Sequence, residues 1–221
     1  MRKRWRVAVL DSGLGAYPEG VVSCRFVDDG HTVLCSEAVP DPIGHGTSVT
    51  EIICGRRDGA PDLLVGQVLD HRGTTTAAAL AAAIDWSVRA GADLIHMSLG
   101  LREDRQILER AAAAAVDAGR IVVASSPARG ACTFPASYPG IIRATADARC
   151  QLDEISDLHS SQADFGGCPY YLHATRLGGA SLGAAHVTRF LVEHAAPGQD
   201  AAAVRSRLRS MARHTGIEAR G

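Results

Sequence analysis

Short runs of β-branched and aliphatic residues alternate along this chain with longer alanine-rich stretches of helical length, and that alternation constrains the fold most. It predicts an α/β protein with a doubly wound, mostly parallel sheet. Parallel strands need crossover connections, and the crossover helices then cover both faces of the sheet. Strands are expected at Arg6–Leu10, Val21–Val27, Leu63–Leu69, Leu94–Met97, Ile121–Ala124 and Ile141–Ala144. Helices are expected over about His45–Cys54, Thr75–Ala90, Asp104–Ala118, Ser181–His194 and Asp200–Ala212. Threonines open the second of these, where a hydroxyl can cap free amides, and Gly91 and Gly119 stand where two helices should stop. The alanine runs within Ala77–Ala83 and Ala111–Ala115 lie among larger apolar residues at helical spacing, so they read as helices packed closely on a sheet.

With 221 residues and 46% hydrophobic composition, one domain can bury one sizeable core. The formal net charge is −1 and the basic residues are scattered, which argues against a nucleic-acid partner. Behind the basic N-terminus the apolar run Val7–Leu10 stops at Asp11, too short for an export signal. No stretch approaches the roughly 18 apolar residues of a membrane span. A cytoplasmic protein with no membrane contact is the expectation. The six cysteines are widely spaced and form no C-x-x-C pair, so reduced thiols are expected, with a Cys24–Cys35 bridge across a hairpin as the alternative. Nothing in the spacing of cysteines, histidines or carboxylates calls for a metal or another cofactor.

Three segments carry candidate chemistry. Asp11-Ser-Gly13 puts a carboxylate where an apolar strand meets a glycine turn, the end of a parallel strand at which functional groups gather. Turn chemistry alone also explains an aspartate there. Gly44-His-Gly-Thr47 sets His45 between two glycines at a helix start, which leaves the imidazole uncrowded; a loop histidine beside a cap is the plainer reading. Gly179-Ala-Ser181 presents a serine at the head of an apolar helix, whose amides favour developing negative charge; it also reads as a simple N-cap.

Taken together, these segments follow the order Asp, His, Ser, one of the orders in which a nucleophile, base and orienting carboxylate recur. Here the chain resembles the subtilisin-like serine peptidases, whose D-[ST]-G, H-G-T-H and G-T-S-M-A-x-P-H motifs match Asp11-Ser-Gly13, His45-Gly-Thr-Ser48 and Gly179-Ala-Ser-Leu-Gly-Ala-Ala-His186. Asp93-Leu-Ile-His-Met-Ser-Leu-Gly100 is similar to the family's D-V-I-N-M-S-L-G strand, with His96 in place of the Asn. His96 reads as a polar core residue or a modulator of the site, and His186 as packing. The resemblance runs from about Arg6 to Thr215 and implies a peptidase domain over residues 5–215 with a loose tail at 216–221.

By this resemblance Ser181 is the nucleophile, His45 the general base and Asp11 the carboxylate that orients it. Ser98, Leu99 and Gly100 correspond to the strand that pairs with an extended peptide, and Cys132 and Thr133 fall at the base of the specificity pocket. The oxyanion region departs from the family: Ala128 stands where its Asn is, and Ala180 where a Thr precedes the serine. The Ser181 amide remains as one donor, with Ser125, Ser126 and Arg129 as candidates for another. No carboxylate cluster replaces the family's calcium loop between His45 and Leu63, so no structural calcium is expected. The lack of a recognisable pro-domain fits a small intracellular enzyme. These features imply an endopeptidase cleaving one defined peptide, such as a precursor or leader; the alternative is an impaired protein that captures an extended peptide without cleaving it.

Overall fold

The computed structural model describes residues 4–55, 60–171 and 174–217. Its central strand, β1 (Arg6–Asp11), is apolar on both sides, with Ala8 and Leu10 in one core and Val7 and Val9 in the other. A strand of that kind belongs inside a sheet covered on both faces. After it come the antiparallel hairpin β2 (Val22–Asp28) and β3 (Val33–Ser36), then α1 (His45–Cys54), β4 (Asp62–Gln67), α2 (Ala77–Arg89), β5 (Leu94–Met97), α3 (Gln106–Asp117) and β6 (Ile121–Ser125). The remainder is β7 (Ile142–Ala146), β8 (Ile155–Asp157), β9 (Phe165–Gly167), the small pair β10 (Tyr170–Tyr171) and β11 (Ala174–Gly178), α4 (Ala180–His194), α5 (Ala201–Met211) and β12 (His214–Thr215).

Ten strands form one sheet in the order β12-β8-β9-β7-β6-β5-β1-β4-β2-β3. Apart from the β2–β3 and β8–β9 pairs, neighbours in it run parallel. Leu80 and Ile84 of α2 and Leu108 of α3 fill the core on one face. Ile52 of α1, Val187 of α4 and Leu208 of α5 fill it on the other. This is the doubly wound α/β arrangement expected from the sequence. The Thr76 hydroxyl accepts from the Ala79 amide and caps α2, Asp200 does the same for α5 through Ala203, and Gly91 and Gly119 take left-handed conformations just past α2 and α3.

Several elements exceed the expectation. β3, β8, β9 and β12 were not foreseen, since they are two to four residues long and β9 contains two glycines. Too few side chains alternate there to produce a periodic signal. Cys24 and Cys35 are joined by a disulfide, which replaces the reduced thiols expected for them: the β2–β3 register brings their Cα atoms to 5.9 Å. Cys54, Cys132, Cys150 and Cys168 are free thiols. No helix among the described residues is long and apolar enough to cross a membrane. Part of the stretch in which no calcium loop was expected, residues 56–59, and most of the 216–221 tail lie outside the described residues.

Candidate active site

β1 pairs with β4 on one side and β5 on the other, and the chain crosses from one side to the other between β4 and β5; in open α/β sheets such a switch point is where ligands bind, at the carboxyl ends of the strands. Leu10 stands opposite Met97, so Asp11 and Ser98, the next residues of each strand, follow at the same level. Both are buried. One oxygen of Asp11 accepts the Ser12 amide at 2.8 Å and faces His45 Nδ1 at 2.7 Å. Since a carboxylate only accepts, Nδ1 carries the proton and Nε2 is left with its lone pair. The bond to Asp11 raises the His45 pKa above its ordinary value; burial opposes the shift, and the charges of Asp11 and Asp41 add to it.

His45 is held there by the local design of the α1 N-terminus. Gly44 adopts φ 75°, a left-handed turn that favours glycine, and a Cβ on Gly46 would sit 2.5 Å from the Gly13 carbonyl oxygen. Only glycine lets α1 approach the β1 turn this closely. The Gly46 amide then donates to Ser12 Oγ at 2.8 Å. Asp41, a residue to which the sequence motifs give no prominence, gathers the other free groups. It accepts from the Ile43 and Gly44 amides through one oxygen and from the Thr47 amide and hydroxyl through the other. Burial pushes its carboxyl up, but the Thr47 hydroxyl and these amides outweigh that and hold its pKa below the usual carboxylate value. The signal for it was faint: an aspartate four residues before the helix, in Pro40-Asp-Pro42.

Ser181 lies in the first turn of α4, on the same face of the sheet as α1. The helix lies tight on the sheet because it is glycine at the contact: a Cβ on Gly183 would stand 2.3 Å from the Thr145 carbonyl oxygen in β7. Ser181 Oγ donates to the Ser98 carbonyl at 2.8 Å, and Ser98 Oγ donates to the Ser181 carbonyl at 2.9 Å. His96 stands behind this pair, fully buried, and bonds Ser98 Oγ through Nε2 and Thr188 Oγ1 through Nδ1.

The other sequence candidates separate. Ser126 Oγ donates its proton to the Gln162 carbonyl at 2.7 Å, so that hydroxyl is committed to the loop. Ser125 is nearly buried at the end of β6, whereas Ala128 and Arg129 are exposed. Leu99 and Gly100 continue from Ser98, and Leu101 exchanges two backbone hydrogen bonds with Phe134. Those bonds bring Thr133 against Gly100, where a Cβ would meet Thr133 Cβ at 2.8 Å; Cys132 is exposed beside it. Among the described residues no three His, Cys, Asp or Glu side chains come together in a group that could hold a metal ion.

Comparison with known proteins gives this geometry a family. Residues 2–208 match the Subtilase family. The chain is 31% identical over 151 residues to the thermostable alkaline protease of Halalkalibacterium halodurans, a match that takes in 64% of this chain and 41% of that protein. In fold it is similar to Sphericase, with a TM-score of 0.65 at 20% identity over 93% of this chain and 82% of the other. It is also similar to prenylagaramide maturation protease PagA, with a TM-score of 0.58 at 21% identity over 85% of this chain and 73% of the other. A family pattern that runs from Arg2 to Leu208 takes in β1, α1, β5 and α4, the elements that carry or adjoin Asp11, His45, Ser98 and Ser181, and the chain belongs to the Subtilase family.

Proposed function

We propose that this chain is a serine endopeptidase that binds a peptide in extended form along Ser98–Gly100 and cleaves it through an acyl-enzyme on Ser181. The observation that carries the reading is the Asp11–His45 bond at 2.7 Å, which fixes the imidazole tautomer that a general base for Ser181 needs. Ser181 Oγ turns from the Ser98 carbonyl toward His45 Nε2, gives up its proton there and attacks the scissile carbonyl carbon. Negative charge moves to the carbonyl oxygen, where the Ser181 amide in the first turn of α4 is one donor. Collapse of the intermediate breaks the C–N bond, and the proton on Nε2 passes to the leaving amine. Water then attacks the ester by the reverse use of His45 and releases the acid. The Asp11 carboxylate stabilises the imidazolium as it forms.

The peptidase domain takes in residues 5–215: the Trp5 indole donates to the Ala195 carbonyl and β12 adds the last strand to the sheet edge. A defined peptide, such as a precursor or leader, is the substrate we infer; the fold likeness to PagA, a maturation protease by name, supports it. A second reading rests on Ala128, which offers a methyl group where the family has a side-chain donor: a protein that captures the peptide and leaves it intact. Neither reading calls for a metal, a cofactor, nucleic acid or a membrane. A fluorophosphonate probe separates them. The peptidase reading expects labelling that is lost in Ser181→Ala and in His45→Ala; labelling equal to wild type in Ser181→Ala rejects it.

A further inference from the structure

We infer that His96 is a positioning residue for the nucleophile, clamping α4 to β5 through one directed chain of hydrogen bonds: Thr188 to His96 to Ser98 to Ser181. This deepens the peptidase reading and rests on it. The direction of the chain follows from counting protons. The Ser181 carbonyl can only accept, so the single proton of Ser98 Oγ is spent on it at 2.9 Å. Ser98 Oγ must then accept from His96 Nε2 at 2.7 Å, which makes Nε2 the protonated nitrogen. In the neutral ring Nδ1 then has a lone pair and accepts the Thr188 hydroxyl at 2.8 Å. A neutral imidazole satisfies both ends, and full burial of the ring disfavours the cation, which could otherwise donate to Thr188 as well.

His96 and Thr188 are fully buried and Ser98 nearly so, so each of these groups depends on the others for its partners. Burial, followed by the nearby charge of His45, pushes the His96 pKa down to about 3, in keeping with a ring that stays neutral while His45 titrates. Thr188 and Ser181 are seven residues apart, two turns of the same helix face. One side chain of β5 therefore holds α4 at two points and, through Ser98, fixes the carbonyl of the nucleophile itself. The return bond from Ser181 Oγ to the Ser98 carbonyl closes the circuit.

Side-chain reach gives a discriminating test, because the amide nitrogen of Gln overlays Nε2 of His and that of Asn overlays Nδ1. His96→Gln should keep the contact to Ser98 and retain most of the fluorophosphonate acylation rate. His96→Asn keeps the contact to Thr188 alone and should lose about tenfold, as should His96→Leu where it folds. Thr188→Val, which removes the far link with little change of volume, should cost a few-fold. Melting temperatures measured alongside separate positioning from stability: acylation that follows melting temperature, with Asn equal to Gln, overturns the inference. Nuclear magnetic resonance of the imidazole nitrogens tests it without any turnover. Nε2 of His96 should be protonated and Nδ1 bare from pH 5 to pH 9, and the other tautomer or a titration in that range overturns the clamp. Loss of Ser181-dependent labelling in the wild type would instead reject the peptidase reading, while the tautomer still decides the clamp.

Discussion

Ser98 and Ser181 exchange two hydrogen bonds, hydroxyl to carbonyl in each direction, at 2.8 and 2.9 Å. The residue proposed to open the substrate strand and the residue proposed to attack it are thus joined before any peptide arrives. The link costs the nucleophile one neutral hydrogen bond, about 1 kcal/mol net, when its hydroxyl turns toward His45. In exchange it fixes where the attacking oxygen starts.

The His45–Asp11 pair sets the pH dependence of activity. His45 must be neutral to accept the Ser181 proton, and Asp11 raises its pKa, so kcat/KM should rise with pH through a midpoint above the ordinary histidine value of about 6.5. Asp11→Asn should lower that midpoint and reduce turnover by ~10⁴-fold through the wrong tautomer. Stability runs the other way: the raised pKa favours the folded protein below about pH 6.5, and that contribution is lost as pH rises through the folded value. Rate profiles and melting curves against pH check both, and a midpoint below 6.5 contradicts them.

Ala128→Asn should add a donor to the tetrahedral intermediate and raise ester turnover by up to ~10²-fold. If Ser125 or Arg129 already supplies one, the change does little and Arg129→Ala or Ser125→Ala is the costly variant. In a peptide-capture protein none of these substitutions yields turnover, and peptide affinity survives Ser181→Ala.

Thr133 packs beside Gly100, and we propose that it lines the specificity pocket, which should then favour small side chains. Thr133→Gly should shift kcat/KM toward substrates with a larger side chain at the cleaved bond, by about tenfold for one added methylene. A peptide library cleaved by both proteins reads this out, and an unchanged preference would place the pocket elsewhere.

Asp41→Ala removes the acceptor for two amides and for both donors of Thr47 at the head of α1. The expected loss is about 1–2 kcal/mol of stability, as for a helix cap, with a fall in turnover because His45 rides on that turn. Its depressed pKa gives a contribution present above about pH 4 and lost as pH falls through the folded value. Asp41→Asn, which keeps one acceptor oxygen, should recover part of both.

The sequence by itself determined the alternation of strands and helices, the depth of β1, β5 and β6, the glycines at the head of α1 and the order Asp11, His45, Ser181. All of these are local: a run of apolar residues, a turn residue or a cap is decided by neighbours within about ten positions. The short strands β8, β9 and β12 were decided by the sheet edge they complete, and the Cys24–Cys35 bond by the β2–β3 register. Asp41 gained its importance from the turn that folds over it, and His96 from Thr188, 92 positions away. Only the tertiary structure could decide these, because a hydrogen bond is settled within about 3 Å, and which distant atoms come that close depends on how β5 and α4 pack rather than on the residues beside either.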